Sequence, residues 1–413
     1  MSRLQAPRGT FDVLPDDADA REAVEREARR VLEGAGYRRI ETPTFEATEL
    51  FARGVWEATD IVRKEMFTFE DQGGRSLTLR PEGTAPVCRA YVEHGMHKLA
   101  QPVRLWYLSS FYRHEAPQAG RHRQFWQIGA EAVGSDDPAV DAETIVLLAD
   151  LLDALNTHGV RLKVSSLGAP ETRAAYREEL QAYLREHADR LPRDVRERID
   201  LNPLRAFDSA EAREVMADAP KLLDRLSPQD AEHFATVRVL LDAADIPYDV
   251  DPTLVRGLDY YTRTVFEFES SELGAQSGVG GGGRYDRLVE MIGGPPTPGC
   301  GFAAGVERIL LASDPPPVAA PPVDLFVSWS GDGLRPTAFA LAGEARRAGL
   351  GAQMELAGRS TKGQFKQADR VGARFVAVLG EEGTELRDME SGEQRPVATE
   401  SVVREVLRGR GIG

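Results

Sequence analysis

The sequence is poor in cysteine and has no long hydrophobic run. Its 413 residues include two cysteines, Cys88 and Cys300, which are too far apart for a metal-binding motif. This usage argues against a disulfide framework or a thiolate zinc site and is typical of a reducing compartment. No apolar segment approaches the roughly 20 residues of a membrane-spanning helix, and the N-terminus MSRLQAPRGTFDVLPDD lacks the apolar core of a signal peptide. We expect a cytoplasmic protein with no membrane segment and no cysteine-based metal site.

Basic residues are outnumbered over most of the chain, but not at its C-terminal end. The sequence contains 51 Lys+Arg and 66 Asp+Glu, a net charge of −15. Residues 323–413 contain 13 of each kind, so residues 1–322 carry the whole excess of negative charge. A negative net charge argues against general binding to a polyanion. Any contact with nucleic acid is therefore expected in the neutral C-terminal part.

Proline is concentrated at one point, which predicts a domain boundary. Five of the eight residues 315–322 are proline, and such a segment neither continues a helix nor joins the centre of a sheet. Beyond it, strand-like DLFVSW and RFVAVLG alternate with helical segments. We predict a sheet-based domain at 1–169 and 236–314, a helical insertion of open role at 170–235, a proline-rich linker at 315–322, and an α/β domain at 323–413.

Two strand-like segments, VRLWYLSSFYR (103–113) and FWQIGAEAV (125–133), predict a hairpin. Strand residues alternate between faces, so the second strand has an apolar face containing Trp126, Ile128, Ala130 and Ala132. Its other face contains Gln127 and Glu131 on either side of Gly129. A solvated sheet surface is an alternative, but Phe125 and Val133 share the same face. We predict a partly dry floor with a gap at Gly129.

Arginines surround this predicted floor. Arg113 ends the first strand, and the following loop contains Glu115, Arg121 and Arg123. A guanidinium binds phosphate oxygens in pairs and does not lose its charge. Because charged loops are often simply solvated, this pattern indicates a phosphate site only together with other motifs.

Three further segments contribute candidate residues. In TLRPEGTAPVCRAY, Glu82 and Thr84 lie on a turn and can hold an ammonium group or cap a helix. In PGCGFAAGVERILL, Arg308 lies in the first turn of a predicted helix and faces an anion. GVGGGGRYDRLV matches G-x-G-x-x-G but lacks the βαβ setting of a dinucleotide site, so its glycines more simply allow close backbone approach.

The segment LVRGLDYYTRTVFEF places Arg256, Tyr260 and Tyr261 at the start of a predicted strand. Strict alternation would put Arg263, Val265 and Glu267 on one face. A solvated arginine beside two corner-filling tyrosines is the alternative to a binding role.

These segments together resemble the bacterial histidyl-tRNA synthetases, a family of class II aminoacyl-tRNA synthetases, over nearly the whole chain. YRRIETP resembles class motif 1 with its dimer-forming Pro43, FYRHEAPQAGRHRQFWQ resembles motif 2, and GFAAGVERILL resembles motif 3. LVRGLDYYTRTVFEF and GVGGGGRYDRLV resemble the two histidine-specific motifs, although Arg287 stands where a small residue is usual.

The resemblance implies an α+β catalytic domain with an antiparallel sheet flanked by helices, a helical insertion, and a C-terminal α/β anticodon-binding domain, assembled as a homodimer. It implies that L-histidine is joined to tRNA(His) through a histidyl-adenylate formed from ATP with Mg²⁺, with release of AMP and diphosphate. Arg113 would hold the α-phosphate and the histidine carboxylate. Further contacts with ATP would come from Glu115, Arg121, Phe125 and Arg308.

The resemblance also implies roles on the amino-acid side. Glu82, Thr84 and Gln127 would hold the α-amino group. Glu131 and Tyr261 would each contact one imidazole nitrogen.

Two residues of the first histidine-specific motif complete the implied site. Arg256 would stabilise the charge that develops during adenylate formation, and Tyr260 would pack beside the amine. No protein nucleophile is needed, because phosphoryl-type transfer requires mainly positioning and charge stabilisation.

A basic stripe in GRSTKGQFKQADRVGAR is the predicted tRNA contact. Arg359, Lys362, Lys366, Arg370 and Arg374 recur at steps of three and four residues, and only Asp369 opposes them. A solvated helix face is the commoner origin of such a stripe.

Three other functions are compatible with parts of the pattern. A regulatory subunit of ATP phosphoribosyltransferase resembles the synthetase core but generally lacks the anticodon-binding domain. A class II synthetase for another amino acid conflicts with RGLDYY and Glu131, and a plain nucleotide-binding protein leaves the basic stripe unexplained.

Overall fold

The computed structural model describes residues 3–54, 65–115, 120–255, 260–274, 277–317 and 322–410. The chain divides into two compact units, Met1–Pro317 and Val318–Gly413. Within the described ranges, we find no helix with the length and apolarity needed to span a membrane.

The first unit combines helices with two sheets. Its helices are α1 (Pro15–Gly34), α2 (Thr48–Gly54), α3 (Thr84–Glu93), α4 (Pro138–Ala154), α5 (Pro170–Glu186), α6 (Arg193–Arg198), α7 (Arg213–Ala217), α8 (Pro228–Ala243), α9 (Leu288–Met291) and α10 (Val306–Leu311). Its strands are β1 (Arg38–Arg39), β2 (Phe45–Ala47), β3 (Thr68–Glu70), β4 (Ser76–Leu79), β5 (Val103–Tyr112), β6 (Gln124–Val133), β7 (Val160–Ser166), β8 (Asp249–Val250), β9 (Thr262–Ser270), β10 (Gly278–Arg284) and β11 (Gly299–Gly305).

The larger sheet has eight strands in the order β1-β5-β6-β11-β10-β9-β7-β8. From β5 through β7, every neighbouring pair is antiparallel. The short edge strands β1 and β8 run parallel to their neighbours. The predicted antiparallel sheet is confirmed at its centre, and the sheet as a whole is mixed. A smaller antiparallel sheet has the order β2-β4-β3.

The alternation of β6 separates two hydrophobic clusters, one on each face of the large sheet. Ile128, Ala130 and Ala132 belong to the cluster that also contains the apolar faces of α1, α4 and α8. Phe125 and Val133 belong to the other, with residues of α3, α5 and α9. Each large apolar side chain fully buried in these clusters contributes about 1.5–3 kcal/mol. The predicted separation of the two faces is confirmed, and the cavity described below opens on the second face.

The segment between β7 and β9 is mainly helical. Tyr176, Leu180 and Leu184 of α5 pack into the cluster on the cavity face. Helix α8 begins after its N-cap Ser227, and its Phe234 and Val237 pack in the opposite cluster with α4. The predicted end of the insertion at residue 235 therefore falls inside α8. The residues on both sides of position 235 have helix-forming composition. The sequence therefore does not show where the helices change from packing in one cluster to packing in the other.

The second unit is a smaller α/β domain with its own sheet. Its helices are α11 (Arg335–Arg347), α12 (Thr361–Arg370) and α13 (Val402–Gly409), and its strands are β12 (Leu325–Trp329), β13 (Ala352–Met354), β14 (Phe375–Gly380), β15 (Gly383–Asp388) and β16 (Gln394–Pro396). The strand order is β13-β12-β14-β15-β16, with β13, β12 and β14 parallel and the last two pairings antiparallel. The sequence did not reveal β13, which has three residues, or β15, whose GTELRD is mostly polar.

Candidate active site

A cavity of about 500 Å³ opens on the second face of the large sheet. Eight of the candidate residues line it: Glu82, Thr84, Arg113, Glu115, Arg121, Gln127, Tyr260 and Tyr261. Among the described residues, Glu131, Phe125 and Arg308 lie outside this lining, and Arg256 falls outside the described ranges. The structure thus gathers residues from three distant parts of the sequence into one site.

Glu82 occupies the turn that leads into α3. Its carboxylate accepts hydrogen bonds from the backbone N–H groups of Thr84 at 2.7 Å and Ala85 at 3.0 Å. The hydroxyl of Tyr260 lies 3.5 Å away. Burial raises the pKa of Glu82 above its usual range, although the two backbone donors oppose the shift. The capping role left open by the sequence is therefore real, and it holds the carboxylate at the cavity wall.

Glu131 is 1% exposed and lies just behind the cavity floor. One oxygen accepts hydrogen bonds from the hydroxyls of Thr84 at 2.8 Å and Tyr107 at 3.2 Å, and the other from Tyr285 at 2.7 Å. Burial raises the pKa of Glu131 to about 8, while these hydroxyl donors oppose the shift. Gly301 lines the cavity directly against this carboxylate, where a Cβ atom would overlap it. The carboxylate is thus held by neutral donors one layer below the floor.

Tyr107 fills the gap that Gly129 leaves in β6. The two residues are paired across β5 and β6, and a Cβ atom at Gly83 or Gly129 would overlap the tyrosine ring. Sequence reasoning identified the gap but missed Tyr107 and Tyr285, which orient Glu131. The alternation of β5 contained the signal for Tyr107, because that residue lies on the same face as the gap.

Gln127 presents an unusual atom at the cavity wall. Its Oε1 is buried and has no hydrogen-bond donor among the described residues. Buried polar atoms are nearly always paired, so an unpaired acceptor in a cavity needs an explanation. A ligand that donates a hydrogen bond at this point would satisfy it.

The cationic side of the cavity is built around Arg113. Its Nε donates to the carbonyl of Pro81 at 2.8 Å, and its guanidinium carbon lies 5.3 Å from the ring centre of Phe125. Glu115 lies 3.8 Å from Arg113 and accepts from Arg121 at 3.3 Å. Arg113 and Arg121 share the single negative charge of Glu115, so the three side chains together keep a positive charge. An incoming anion can therefore accept hydrogen bonds from guanidinium groups that are already positioned.

Arg308 approaches the same region from α10. Its Nε donates to the carbonyl of Gly278. Burial lowers the pKa of Arg308, and nearby Arg121 adds to the shift, whereas Glu267 and Glu115 oppose it. Arg308 is the third residue of the six-residue helix α10, which follows Gly305.

Tyr260 and Tyr261 form another part of the cavity wall. They are 4% and 6% exposed, and their ring centres are 4.8 Å apart. The carbonyl of Tyr261 accepts from Arg173 of α5 at 3.0 Å. Both rings therefore have restricted orientations before any ligand arrives.

The basic stripe of the second unit is less continuous than the sequence suggests. Lys362, Lys366 and Arg370 are exposed on α12. Arg359 precedes the helix and pairs at 3.2 Å with Glu355, whose side chain is fully buried. The expectation that Asp369 alone opposes the stripe is wrong, because Glu355 folds back onto Arg359 and only the tertiary structure shows that contact.

Potential metal ligands form no cluster within the part of the chain that the structure describes. Across the residues that the structure describes, we find no group of three or more His, Cys, Asp or Glu side chains suited to hold a metal ion.

Comparisons with known proteins cover both units. The family model described as histidyl-tRNA synthetase matches residues 9–309, and the anticodon binding domain model matches residues 324–408. The Histidine--tRNA ligase of Desulforamulus reducens is 46% identical over 407 residues, covering 96% of this chain and 97% of that protein. The Histidine--tRNA ligase of Rubrobacter xylanophilus is 49% identical over 408 residues, covering 95% and 96%. The apo histidyl-tRNA synthetase structure from S. aureus has a TM-score of 0.81 at 34% identity, covering 98% of this chain and all of that chain.

Proposed function

From the premise that this chain belongs to the histidyl-tRNA synthetase family, we propose a role for each part of its cavity. The chain is an aminoacyl-tRNA ligase that attaches L-histidine to tRNA, and its family uses ATP as the energy source. The regulatory-subunit alternative is not favoured, since Histidine--tRNA ligases match over nearly the full length and the anticodon-binding domain is present. Each part of the cavity is assigned a separate role in binding or catalysis.

The amino-acid side of the cavity binds histidine through its amine and its ring. The main observation in support of this proposal is the unpaired Oε1 of Gln127, a buried acceptor with no hydrogen-bond donor among the described residues. We assign it to the α-amino group together with Glu82 and Thr84. The ammonium of the ligand would supply both the missing donor and a charge for the buried carboxylate of Glu82.

The imidazole ring is assigned to Glu131 and Tyr261, with Tyr260 packing beside the amine. Hydroxyls use three of the roughly four acceptor positions of Glu131, so one remains for a ring N–H. An amino acid with an apolar side chain would leave that buried acceptor unpaired. Sites of this kind discriminate by roughly 10⁴–10⁵, and separate editing is then unnecessary.

The cationic side is assigned to ATP. Arg113 would bridge the α-phosphate and the histidine carboxylate, and Glu115 with Arg121 would hold the remainder of the nucleotide. Phe125 and Arg308 are assigned to the adenine. The arginine cluster on the cavity wall supports this division, because planar guanidinium groups match phosphate oxygens in geometry and charge.

Magnesium is proposed to enter with the ATP phosphates. Mg²⁺ usually keeps several waters and needs only one or two carboxylates besides phosphate oxygens. The carboxylates of Glu115 and Glu267 line the cavity near Arg121 and Arg308, so the donor set suits such an ion. When bound, the ion would neutralise charge on the departing diphosphate.

The reaction is proposed to proceed in two steps. A carboxylate oxygen of histidine attacks the α-phosphorus, and the bond to the bridging oxygen of diphosphate breaks. A terminal hydroxyl of tRNA, which the resemblance identifies as the 3′-hydroxyl, then attacks the acyl carbon, and AMP leaves. Arg113 holds both reacting groups, and we assign the developing charge to Arg256, which lies outside the described residues. Positioning and fixed charge are the main requirements of such transfers.

The second unit is assigned to the anticodon end of tRNA(His). Lys362, Lys366 and Arg370 supply exposed positive charge on one face of α12, and Arg359 is anchored beside them by Glu355. Contacts of this kind weaken with salt, because they release counterions from the nucleic acid.

A homodimer in the cytoplasm is the proposed state. Phe45 and Phe69 on the smaller sheet are 50% and 43% exposed and lie edge to face at 6.2 Å. Phe45 lies two residues after Pro43 of the motif 1 segment, and an exposed aromatic pair suits an interface. Both cysteines are buried and unpaired, which fits a reducing compartment.

Exchange of labelled diphosphate into ATP tests the proposal. The purified protein should catalyse this exchange with histidine and with no other standard amino acid. Exchange driven by another amino acid, or no exchange with histidine, rejects the proposed assignment.

A further inference from the structure

Arg263 has an unusual backbone conformation for a residue in a strand. It is the second residue of β9, and its φ angle of +46° lies in the left-handed region that non-glycine residues rarely adopt. The register between β9 and β10 shifts here, because Val265 pairs with Gly283 while Thr262 pairs with Arg284. The three-residue interval from Thr262 to Val265 in β9 is therefore matched by a one-residue interval from Gly283 to Arg284 in β10. A β-bulge of this kind bends a strand and redirects its side chains.

The side chain of Arg263 does not follow the alternation of its strand. Regular alternation places it on the same face as Glu267, which lines the cavity. Instead, its Nε donates to Oδ1 of Asp230 at 3.3 Å. Asp230 belongs to α8, whose apolar side chains pack on the opposite face of the sheet. The bulge therefore keeps a permanent cation away from the amino-acid side of the cavity.

Asp230 connects three segments at this point. Its side chain is 1% exposed, and its Oδ2 accepts from the backbone of Ala169 at 3.0 Å and from the hydroxyls of Thr172 and Ser227 at 2.9 and 2.8 Å. Burial alone raises the pKa of Asp230, but these donors and Arg263 together hold it below its usual range. A charged carboxylate with this many donors has little freedom to move.

The backbone around Arg263 is anchored to the chain that enters α5. The N–H of Arg263 donates to Gly168 at 2.8 Å, and the N–H of Leu167 donates to Arg263 at 2.7 Å. Two residues earlier, the carbonyl of Tyr261 accepts from Arg173. The orientation of Tyr260 and Tyr261 is thus tied to the start of the helical insertion.

We propose that Arg263 is a positioning residue for histidine recognition. Its left-handed backbone and its bond to Asp230 aim Tyr260 and Tyr261 into the cavity and keep the guanidinium outside it. The inference rests on the proposed function, because it assigns those two tyrosines to bound histidine. Arg263 itself touches neither substrate, and it acts through the two tyrosines. Residues held in sparsely populated backbone conformations often have such roles near functional sites.

Kinetics of diphosphate exchange in the full-length chain test this inference. Arg263→Gly permits the left-handed backbone but removes the anchor, and it should raise the KM for histidine about tenfold with the KM for ATP nearly unchanged. Arg263→Lys keeps the cation and should recover most of the loss. Asp230→Asn should shift the KM for histidine in the same direction as Arg263→Gly, and it replaces that variant if Arg263→Gly does not fold.

Asp245→Gly is the matched control, because Asp245 also has a positive φ, of 55°, in the turn that follows α8. It should leave both KM values unchanged. An unchanged histidine KM in Arg263→Gly, or equal rises in both KM values, overturns the inference while leaving the proposed function intact. A wild-type protein without histidine-dependent exchange rejects the proposed function and the inference with it.

Discussion

Each face of the large sheet buries a carboxylate, Asp141 on one face and Glu131 on the other. The two carboxylates differ in whether a cation is paired with them. Asp141 on α4 accepts hydrogen bonds from the guanidinium of Arg284, including one from Nε at 3.0 Å, and lies 2.7 Å from Nε2 of His233. Glu131 on the cavity face is bonded only to the hydroxyls of Thr84, Tyr107 and Tyr285 within the described structure. Both carboxylates are at most 1% exposed.

The pKa values of the two groups move in opposite directions. Burial alone raises the pKa of Asp141, but His233 and Arg284 outweigh it and hold the value below its usual range. Burial raises the pKa of Glu131 to about 8, because no cation compensates it. A buried acid that is fully paired is a structural element, whereas one left with neutral donors retains capacity for a ligand.

Two residues that are adjacent in the sequence bind the two buried carboxylates. Arg284, at the end of β10, binds Asp141 on one face, and Tyr285 binds Glu131 on the other. The histidine-specific segment GGGGRYD thus contributes to both the stability of the sheet and the floor of the cavity.

The strongest test of this comparison is Asp141→Asn. It leaves the buried Arg284 with only the partly exposed Asp286 as a counter-ion and should lower the free energy of unfolding of the first unit by about 3–5 kcal/mol. Urea titration of intrinsic fluorescence measures the change. Asp153→Asn, at an exposed position of the same helix, should change stability by less than about 0.5 kcal/mol. An unchanged stability together with a raised histidine KM would reverse the roles of the two carboxylates.

The complementary test is Glu131→Gln. The amide keeps the shape but cannot ionise when the imidazole binds, so the histidine KM should rise by about 100-fold. The ATP KM should change by less than about threefold, because we assign the nucleotide to the arginines of the cavity and not to Glu131. Tyr107→Phe, which removes one of three donors to Glu131, should have a smaller effect in the same direction. Equal changes in the two KM values would remove Glu131 from the ring-binding site.

The pH dependence of stability should differ in sign between the two carboxylates. Between pH 5 and 8, the unfolded chain has an ionised Glu131 and the folded chain keeps it protonated, so stability falls as pH rises, by about 1.4 kcal/mol per pH unit for this group. Glu131→Gln removes this loss, and its stability relative to wild type should rise by about 2 kcal/mol between pH 6 and 7.5. Asp141, with a lowered pKa, should lose its contribution only as the pH falls below about 4. Parallel pH profiles for wild type and Glu131→Gln would contradict the assignment.

The smallest effects are expected where charges are fully exposed. Alanine at Lys362, Lys366 and Arg370 together should raise the tRNA KM about tenfold at low salt and reduce its salt dependence, with diphosphate exchange unaffected. Arg359→Ala should have a smaller effect on tRNA, because its guanidinium already neutralises Glu355. Aminoacylation assays over a range of salt concentrations distinguish these outcomes. A salt dependence equal to that of wild type would exclude α12 as the RNA contact.

Much of the site was predictable, because local patterns encode the faces of strands and the ends of helices. Alternation along β6 separated the faces and located Gln127 and Glu131 on the cavity side. The turn before α3 and the change from strand to helix at Gly305 were also predictable from their residue types. The recognition of the family then followed from motifs of fixed spacing.

Contacts between distant segments were not predictable from the same patterns. Tyr107 meets Gly129 only because β5 and β6 pair in one particular register. Alternation placed Arg263 on the same face as Val265 and Glu267, whereas a bulge and a left-handed backbone interrupt β9 at this residue. Composition likewise does not reveal that α8, which spans the predicted end of the insertion, packs in the same cluster as α4.

By itself the sequence determined the hairpin of β5 and β6, the two-unit organisation and the chemical types of the site residues, because periodicity and spacing are local properties. The antiparallel centre of the whole sheet was expected only from the resemblance to the family. Tertiary structure alone decided which buried carboxylate received a cation. Arg284 and Tyr285 are neighbours in the chain, yet packing sends one to Asp141 and the other to Glu131. In a low-dielectric interior, that choice of neighbour decides whether a charge is already neutralised or remains available to a ligand.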